Sequence, residues 1–242
     1  MQKIVIGHTR LIIINVLFMT LTSFTAIKDV TYSAFDAKTE IPFDVTLSEL
    51  MPFKNGTFIE VGANDGVRFS NTKRFEELYE WTGILIEPSP NLFNRLCKNR
   101  SNSKCFQCAL GSFKEDGTYI HGDFDGHLMS SISGDRLNPP ARNRVLVRSL
   151  QSILDECDYT HIHFFSLDVE GYELNILKGI DFTRTTFDYL LIEIYKHQYN
   201  DIVEFFSNKG YEMIRCLSNY SKELCPLWDG THNDYLFKRQ DL

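Results

Sequence analysis

The sequence predicts an α/β domain in which a mostly parallel sheet carries helices on both faces. Short, apolar, β-rich runs alternate along the chain with stretches whose apolar residues recur at helical spacing. Strands that alternate with helices form parallel sheets that are covered on both sides. The chain of 242 residues is long enough for one domain with a sizeable core.

The first part of the predicted domain shows this alternation clearly. Gly62 ends the first β-rich run, and Gly83 ends the helical stretch that follows it. Both glycines interrupt the pattern because glycine favours turns over regular structure. We predict strands at residues 57–61, 84–86 and 105–110, and helices at residues 72–81 and 90–100.

Residues 112–144 interrupt the alternation with several glycines and the pair Pro139-Pro140. We interpret this segment as an irregular excursion with some β structure that covers the ligand site. The alternation then resumes, and the last two strands should pair antiparallel because a short segment connects them. We predict a strand and a helix within residues 145–157, strands at residues 162–167, 189–194, 211–217 and 235–238, and helices at residues 172–179 and 201–208.

The amino-terminal segment differs from the rest of the chain. Residues 11–27 carry no charge and lie between Arg10 and Lys28, with Lys3 further upstream. This charge distribution is typical of a signal anchor or a signal peptide, although a full membrane span takes about 20 apolar residues. We predict a signal anchor. A cleaved signal peptide and a buried element of the soluble domain are the alternatives.

These patterns divide the chain into three parts: residues 1–30 as the signal segment, 31–50 as a linker and 51–242 as the folded domain. We therefore expect a single-pass membrane protein or a lumenal protein of the ER or Golgi type, with secretion as the alternative. The formal net charge of −7 argues against a nucleic-acid partner, because binding phosphates requires a basic surface.

The turn after the first predicted strand is a candidate ligand site. Ligands of parallel sheets bind beyond the carboxyl ends of the strands, near the point where the strand order reverses. Gly62 and Gly66 allow positive φ and a close approach of a ligand to the backbone. A tight turn without any ligand would also explain these two glycines.

An acidic residue follows the second predicted strand. Glu87 lies 21 residues after Gly66, a spacing typical of a carboxylate that accepts hydrogen bonds from ribose hydroxyls. A solvated carboxylate at a strand end is the alternative. The fingerprint that binds a pyrophosphate is absent, since Asn64 stands where a middle glycine would be. This favours a smaller nucleoside, such as S-adenosylmethionine, over a dinucleotide.

Two carboxylates follow the strand predicted at residues 162–167. Asp168 and Glu170 point to opposite sides of an extended chain, so one can face an amine of the ligand and the other a substrate. Alternatively, Glu170 begins the next helix, where a negative charge suits the helix dipole. The histidine spacing predicts no metal site, although Asp168 with Glu170 leaves a metal possible.

His197 follows the strand predicted at residues 189–194 and is a further candidate base. The intrinsic pKa of histidine lies closest to neutrality among the candidates. A surface histidine at the start of a helix is the alternative. Asp168, Glu170 and His197 are thus the candidate catalytic residues.

Several blocks in this sequence resemble those of FkbM methyltransferases and occur in the same order. Their number and spacing make the resemblance more specific than any single turn. The blocks are FIEVGANDG at residues 58–66, GILIEP at 83–88, ALG at 109–111, LDVEGYE at 167–173, LKG at 177–179 and LIE at 191–193.

The resemblance implies a Rossmann-like class I methyltransferase fold for residues 51–242, with a seven-stranded, mostly parallel sheet and helices on both faces. It also implies S-adenosylmethionine as the methyl donor. O-methyl transfer to a hydroxyl of a glycan or of a small hydroxylated molecule is the implied reaction.

The resemblance also implies roles for individual residues. Glu60, Gly62 and Asn64 should line the methionine part of the cofactor, in the turn that Gly66 closes. Glu87 should hold the ribose. The chain around Cys108 and Ala109 should lie near the adenine, and Asp168 near the reacting end.

Two other classes of function are alternatives. The methyltransferase fold can serve as a non-catalytic trafficking or interaction module, although Glu60, Gly62, Glu87 and Asp168 are all retained. A nucleotide-dependent oxidoreductase is disfavoured because the pyrophosphate fingerprint is absent.

Overall fold

The computed structural model describes residues 31–122 and 143–242. The predicted signal anchor, at residues 1–30, lies outside these ranges. Within the described ranges, no helix has both the length and the apolar character that crossing a bilayer requires. The described chain forms one compact unit from Tyr32 to Leu242.

Helices and strands alternate along most of the described chain. The helices are α1 (Phe43–Leu50), α2 (Lys73–Tyr79), α3 (Pro90–Asn99), α4 (Leu150–Cys157), α5 (Glu173–Leu177) and α6 (Tyr199–Ser207), with a 3-10 helix at Lys196–Gln198. The strands are β1 (Thr57–Val61), β2 (Thr82–Ile86), β3 (Lys104–Phe106), β4 (Ala109–Gly111), β5 (Tyr119–Gly122), β6 (Asn143–Ser149), β7 (His161–Leu167), β8 (Thr186–Tyr195), β9 (Tyr211–Cys216) and β10 (His232–Arg239).

Seven strands form the main sheet, in the order β3-β2-β1-β7-β8-β10-β9. Neighbouring strands from β3 to β8 pair in parallel, and β10 runs antiparallel to both β8 and β9. The strand order reverses between β1 and β7, so the carboxyl ends of these two strands flank the point where such sheets bind ligands. The expected antiparallel pairing of the last two strands is confirmed.

The sheet carries helices on both faces, as predicted. In β1, Ile59 and Val61 belong to a core that includes residues of α4, α5 and α6. Phe58 points the other way, into a core that includes residues of α1, α2 and α3. Alternate residues of one strand therefore contact two separate cores, because successive side chains of a strand point to opposite faces.

The strand predicted at residues 105–110 consists of two strands in different sheets. β3 pairs with β2 in the main sheet, whereas β4 pairs with β6 in a three-stranded sheet with β5. The chain leaves the main sheet at Cys108, which is buried. The apolar run at residues 105–110 predicted a single strand, because the hydrophobic pattern of a segment does not show where the segment changes from one pairing strand to another.

The structure also differs from the expected linker at residues 31–50. Helix α1 lies there, and its Phe43 and Leu47 are buried in the core beside α2 and α3. The two apolar residues have the i, i+4 spacing of a helix face, but the mixed polarity of the segment and Pro42 obscured it. The cover predicted from residues 112–144 falls largely on residues 123–142, outside the described chain.

Candidate active site

A cavity of about 360 Å³ opens at the carboxyl ends of the central strands. This volume lies within the range of about 300–1,000 Å³ that is usual for small-molecule sites. Residues that follow β1, β2, β3 and β7 line the cavity, together with residues of β8 and β10. Among the predicted site residues, those on its wall are Gly62, Asn64, Glu87, Ala109, Asp168 and Glu170.

Gly62 joins the end of β1 to the start of the cavity wall. Its φ is 80°, in the left-handed region that favours glycine. A Cβ on Gly62 would lie 2.0 Å from the carbonyl oxygen of Asp168. The backbones that follow β1 and β7 therefore meet at a distance that only glycine allows.

Glu87 connects the ends of β1 and β2 through its carboxylate. Its Oε2 accepts a hydrogen bond of 2.9 Å from the backbone N–H of Asn64, and its Oε1 accepts one of 2.9 Å from the backbone N–H of Ser89. Burial raises the pKa of Glu87 to about 7, and the two backbone hydrogen bonds oppose this shift. The carboxylate is thus held in a fixed orientation on the cavity wall.

An acidic cluster forms another part of the wall. We define it as Asp168, Glu170 and Glu193, whose carboxylate oxygens lie within 4.8 Å of one another. Burial raises the pKa of Asp168 well above its ordinary value, and the neighbouring Glu170 raises it further. Burial likewise raises the pKa of Glu193, with Asp168 as the next cause. Asp168 is accessible to solvent because it faces the cavity, although protein surrounds it.

Asp234 adds a further carboxyl to the same side of the cavity. It lies on β10, and burial raises its pKa to about 7. Its position in register with Glu193 on β8 explains why the two side chains approach the same region.

Neither Glu193 nor Asp234 was among the site residues predicted from the sequence, and neither was His232. The Nε2 atom of His232 lies 3.4 Å from Oε1 of Glu193, and its ring packs against Tyr195 with 5.4 Å between centroids. His232 begins β10, which pairs antiparallel with β8. The sequence contained no signal for His232, because the last strand was predicted at residues 235–238 and paired with the strand at 211–217, whereas His232 reaches the cavity through pairing of β10 with β8.

Three predicted site residues do not appear among the described residues that line the cavity: Glu60, Gly66 and His197. Glu60 is buried, and its carboxylate accepts hydrogen bonds from Ser70 Oγ at 2.8 Å and Thr72 Oγ1 at 2.7 Å. This carboxylate thus fixes the loop before α2 rather than facing the cavity.

Gly66 and His197 have other surroundings as well. A Cβ on Gly66 would lie 2.6 Å from Cγ of Arg100 and 2.7 Å from Cδ1 of Leu96, so Gly66 allows the turn to pack against α3. His197 is exposed in the 3-10 helix after β8, beside Gln198. The structure therefore brings His232, rather than His197, to the cavity.

Apolar side chains cover the wall beyond Glu87. The buried residues Ile86 at the end of β2, Leu92 on α3, and Ala109 and Leu110 on β4 all line the cavity. Ile86 directly precedes Glu87, so the cavity combines an apolar region with a carboxylate. Such an arrangement suits an aromatic base attached to a ribose.

Residues 60–213, more than half of the chain, match the methyltransferase FkbM domain family. The chain belongs to the FkbM methyltransferase family. The resemblance seen in its sequence is thereby confirmed, and the FkbM family implies S-adenosylmethionine as the methyl donor. No curated protein matches the chain in sequence.

Solved structures similar to this FkbM family member are distant in sequence. A TehB-like SAM-dependent methyltransferase from Corynebacterium glutamicum has 10% identity and a TM-score of 0.44, with 93% of this chain and 97% of that chain covered. Fibrillarin from Aeropyrum pernix, with natively bound S-adenosyl-L-methionine, has 12% identity and a TM-score of 0.46, covering 76% of this chain and 67% of that chain. The METTL16 MTase domain has 10% identity and a TM-score of 0.48, with 82% of this chain and 66% of that chain covered.

The cavity of this FkbM family member fits the implied cofactor. Gly62 leaves space where a side chain would collide with Asp168, Glu87 presents a carboxylate at the edge of an apolar wall, and the acidic cluster faces the same space. A cationic sulfonium nucleoside is complementary to this combination of charge and apolar surface.

Proposed function

We propose that the protein is an S-adenosylmethionine-dependent O-methyltransferase that acts on a hydroxyl of a glycan or of a small hydroxylated molecule. The observation that carries the proposal is the convergence of Gly62, Glu87 and Asp168 on one cavity. These residues are separated in sequence and follow three different strands of the sheet. A nucleoside that spans the strand ends would contact all three.

The residues of the cavity have complementary tasks in binding. Glu87 accepts hydrogen bonds from ribose hydroxyls, and the apolar wall formed by Ile86, Leu92 and Ala109 packs against the adenine. Asp168 faces the amino group at the other end. When bound, the cofactor supplies an electrophilic methyl group on a sulfonium. The protein contributes mainly by holding the acceptor oxygen in line with that methyl group.

The acceptor hydroxyl must lose a proton during transfer, and a side chain at the cavity should take it. Asp168, Glu170 and His232 line the cavity, whereas His197 is exposed outside it. We therefore assign the base to one of the first three, with His232 favoured by the intrinsic pKa of an imidazole. Carboxylates lie near both ring nitrogens and would stabilise the imidazolium: Glu193 Oε1 is 3.4 Å from Nε2, and Asp229 Oδ1 is 3.7 Å from Nδ1.

The charge of the cavity supports an acceptor other than a nucleic acid. Five carboxyl side chains line it, namely Glu87, Asp168, Glu170, Glu193 and Asp234. The basic side chains on the described part of this wall are Arg68 and His232. A phosphate backbone would be repelled at such a surface. The neutral hydroxyls of a sugar or a small molecule would not be repelled by these carboxylates.

We further propose that the protein is held at a membrane or in the lumen of the secretory pathway. This proposal depends on the uncharged residues 11–27 and on the basic residues Lys3 and Arg10 that precede them. Fractionation of cells that express the full chain tests it. Recovery in the soluble cytoplasmic fraction would contradict it.

The function is tested by calorimetric titration of the full chain with S-adenosylhomocysteine, followed by incubation with labelled S-adenosylmethionine and a panel of glycans and small alcohols. We expect one binding site per chain and transfer of label to a hydroxyl. Absence of binding would reject the proposal. Binding without transfer to any acceptor would favour the alternative of a non-catalytic interaction module that retains the fold.

A further inference from the structure

The acidic cluster is more concentrated than cofactor binding alone requires. Asp168 and Glu170 follow β7, and Glu193 lies near the end of β8, so two adjacent parallel strands deliver three carboxylates to one point. Each residue offers a carboxylate oxygen within 4.8 Å of the others. Mutual repulsion at this separation is strong unless protons or a cation relieve it.

Glu193 provides an independent indication of what occupies this point. It is only 5% exposed, and its Oε2 has no hydrogen-bond partner. Its other oxygen, Oε1, lies 3.4 Å from His232 Nε2. A buried carboxylate oxygen normally has a partner, because burial without one costs free energy. Because Glu193 lines the cavity and its side chain also pairs with Asp168, a group in the cavity beside both carboxylates would supply the missing partner.

We propose that Asp168, Glu170 and Glu193 form a binding site for a divalent cation of the Mg²⁺ or Mn²⁺ type. Hard cations prefer oxygen ligands, and Mg²⁺ is usually bound through a few carboxylates while it retains open or water-filled positions. The cation would relieve the repulsion among the three carboxylates and satisfy Oε2 of Glu193.

Groups beside two of the three carboxylates also suit a metal site. The Tyr195 hydroxyl donates a hydrogen bond of 2.9 Å to Oε2 of Glu170, and His232 contacts Glu193. Hydrogen bonds of this kind orient metal-binding carboxylates in proteins. In Glu193, the oxygen that His232 does not contact is Oε2, which has no hydrogen-bond partner.

If the proposed function holds, the cation gains a role in the reaction. An acceptor hydroxyl that coordinates it would be oriented toward the methyl donor and would release its proton more readily. This role rests on the proposed function, whereas binding of the cation to the three carboxylates does not.

A second group of potential ligands lies at the opposite end of the sheet and is less suitable. It consists of His161, His163 and Asp188. The Nδ1 atom of His163 already accepts a hydrogen bond of 3.0 Å from the backbone N–H of Thr57. The guanidinium of Arg239 lies 3.4 Å from Asp188 and would repel a cation. This second group provides a matched control.

The experiment is a titration of the full chain with Mn²⁺, in which the electron paramagnetic resonance signal of the free ion measures how much Mn²⁺ remains unbound. We expect one Mn²⁺ per chain, with affinity reduced at least about tenfold in E193Q and in D168N. D188N should bind Mn²⁺ as the wild type does. Because Glu193 is buried, thermal unfolding confirms that E193Q folds, and D168N, at the cavity surface, provides an independent variant.

Three results would overturn the metal site: no saturable binding by the wild type, loss of binding in D188N only, or release of Mn²⁺ when S-adenosylhomocysteine saturates the protein. The last result would mean that the cofactor's ammonium group and the cation compete for the same carboxylates, so that the cluster serves the cofactor alone. Parallel calorimetry with S-adenosylhomocysteine separates the two proposals. Cofactor binding without Mn²⁺ binding rejects only the metal site, and Mn²⁺ binding without cofactor binding rejects only the proposed methyltransferase function.

Discussion

The backbone N–H of Asn64 donates a hydrogen bond of 2.9 Å to Oε2 of Glu87, and this contact joins the turns after β1 and β2. Asn64 has a φ of 52°, a left-handed conformation that asparagine tolerates better than most residues. The turn therefore directs its N–H toward a carboxylate that lies 23 residues away in sequence. A residue proposed to bind the ribose is thus positioned by a turn whose residues Gly62 and Asn64 also line the cavity.

Glu87 should make cofactor affinity depend on pH. Its pKa is raised to about 7 in the cavity, and the ionised carboxylate is the better acceptor for ribose hydroxyls. Affinity for S-adenosylhomocysteine should therefore increase as the pH rises through about 7. Between pH 8 and pH 6 we expect a loss of about tenfold, since about a tenth of the carboxylate stays ionised at pH 6.

The matched variant is E87Q, which resembles the protonated side chain in shape and charge. Its affinity should be close to that of the wild type at low pH and should lack the increase at high pH. Calorimetric titrations of both proteins between pH 6 and pH 8 provide the measurement. A wild-type pH dependence that persists unchanged in E87Q would assign the titration to another group.

Gly62 should be intolerant of even the smallest side chain. In G62A, the positive φ of 80° is strained, and the new Cβ would lie 2.0 Å from the Asp168 carbonyl oxygen. The strain alone costs about 1 kcal/mol, and the collision adds to it. We expect G62A to lower the free energy of unfolding by about 3 kcal/mol or more and to weaken cofactor binding.

Gly210 provides the control for this prediction. It has the same φ of 80°, but nothing lies within 4 Å of the position its Cβ would occupy. G210A should therefore show only the strain of about 1 kcal/mol. Urea unfolding of the two variants gives the comparison. Equal losses of stability would show that the contact between Gly62 and Asp168 is not important.

The succession of strands and helices along the chain could be predicted from the sequence because hydrophobic runs and glycine turns are local patterns. Glu87 and Asp168 could be found for the same reason, since each directly follows a β-rich run. The interpretation of Glu60 depended on its neighbours in the family motif. Its carboxylate instead points to the loop before α2, a direction that the sequence pattern does not specify.

Residues that approach the cavity through pairing of distant strands were harder to find. His232 and Asp234 enter the site because β10 runs back along β8. Helix α1 was missed because its apolar residues are few and its helical pattern is short. In each case the decisive information is which distant segment the residues pack or pair with, and the periodicity of one segment does not contain that information.

Glu60 should contribute to stability rather than to cofactor binding. Its carboxylate accepts hydrogen bonds from Ser70 and Thr72 and lies 3.6 Å from Nη1 of the fully buried Arg100. E60A removes these contacts and leaves Arg100 with less compensation for its buried charge. We expect a loss of about 3–5 kcal/mol in the free energy of unfolding.

The test for Glu60 combines two measurements on one variant. Urea unfolding of E60A reports the stability, and calorimetry at low temperature, where the variant is folded, reports affinity for S-adenosylhomocysteine. Affinity within about threefold of the wild type fits a structural role, because that change is below about 1 kcal/mol. A large loss of affinity with little change in stability would show that Glu60 acts in cofactor binding, as the family resemblance implies.

His232 should contribute to the methyl-transfer step, and His197 should not. His232 lines the cavity and contacts Glu193, whereas His197 is exposed in the 3-10 helix after β8. Removal of a general base typically lowers the rate of the chemical step about 100-fold or more. We expect H232Q to lower kcat by that factor, with affinity for S-adenosylhomocysteine retained, and H197Q to leave kcat within about twofold of the wild type.

Both variants are assayed with an acceptor from the glycan and alcohol panel, at saturating Mn²⁺, so that a weaker metal site cannot account for the loss. An unchanged kcat in H232Q would assign the proton to Asp168 or Glu170 instead.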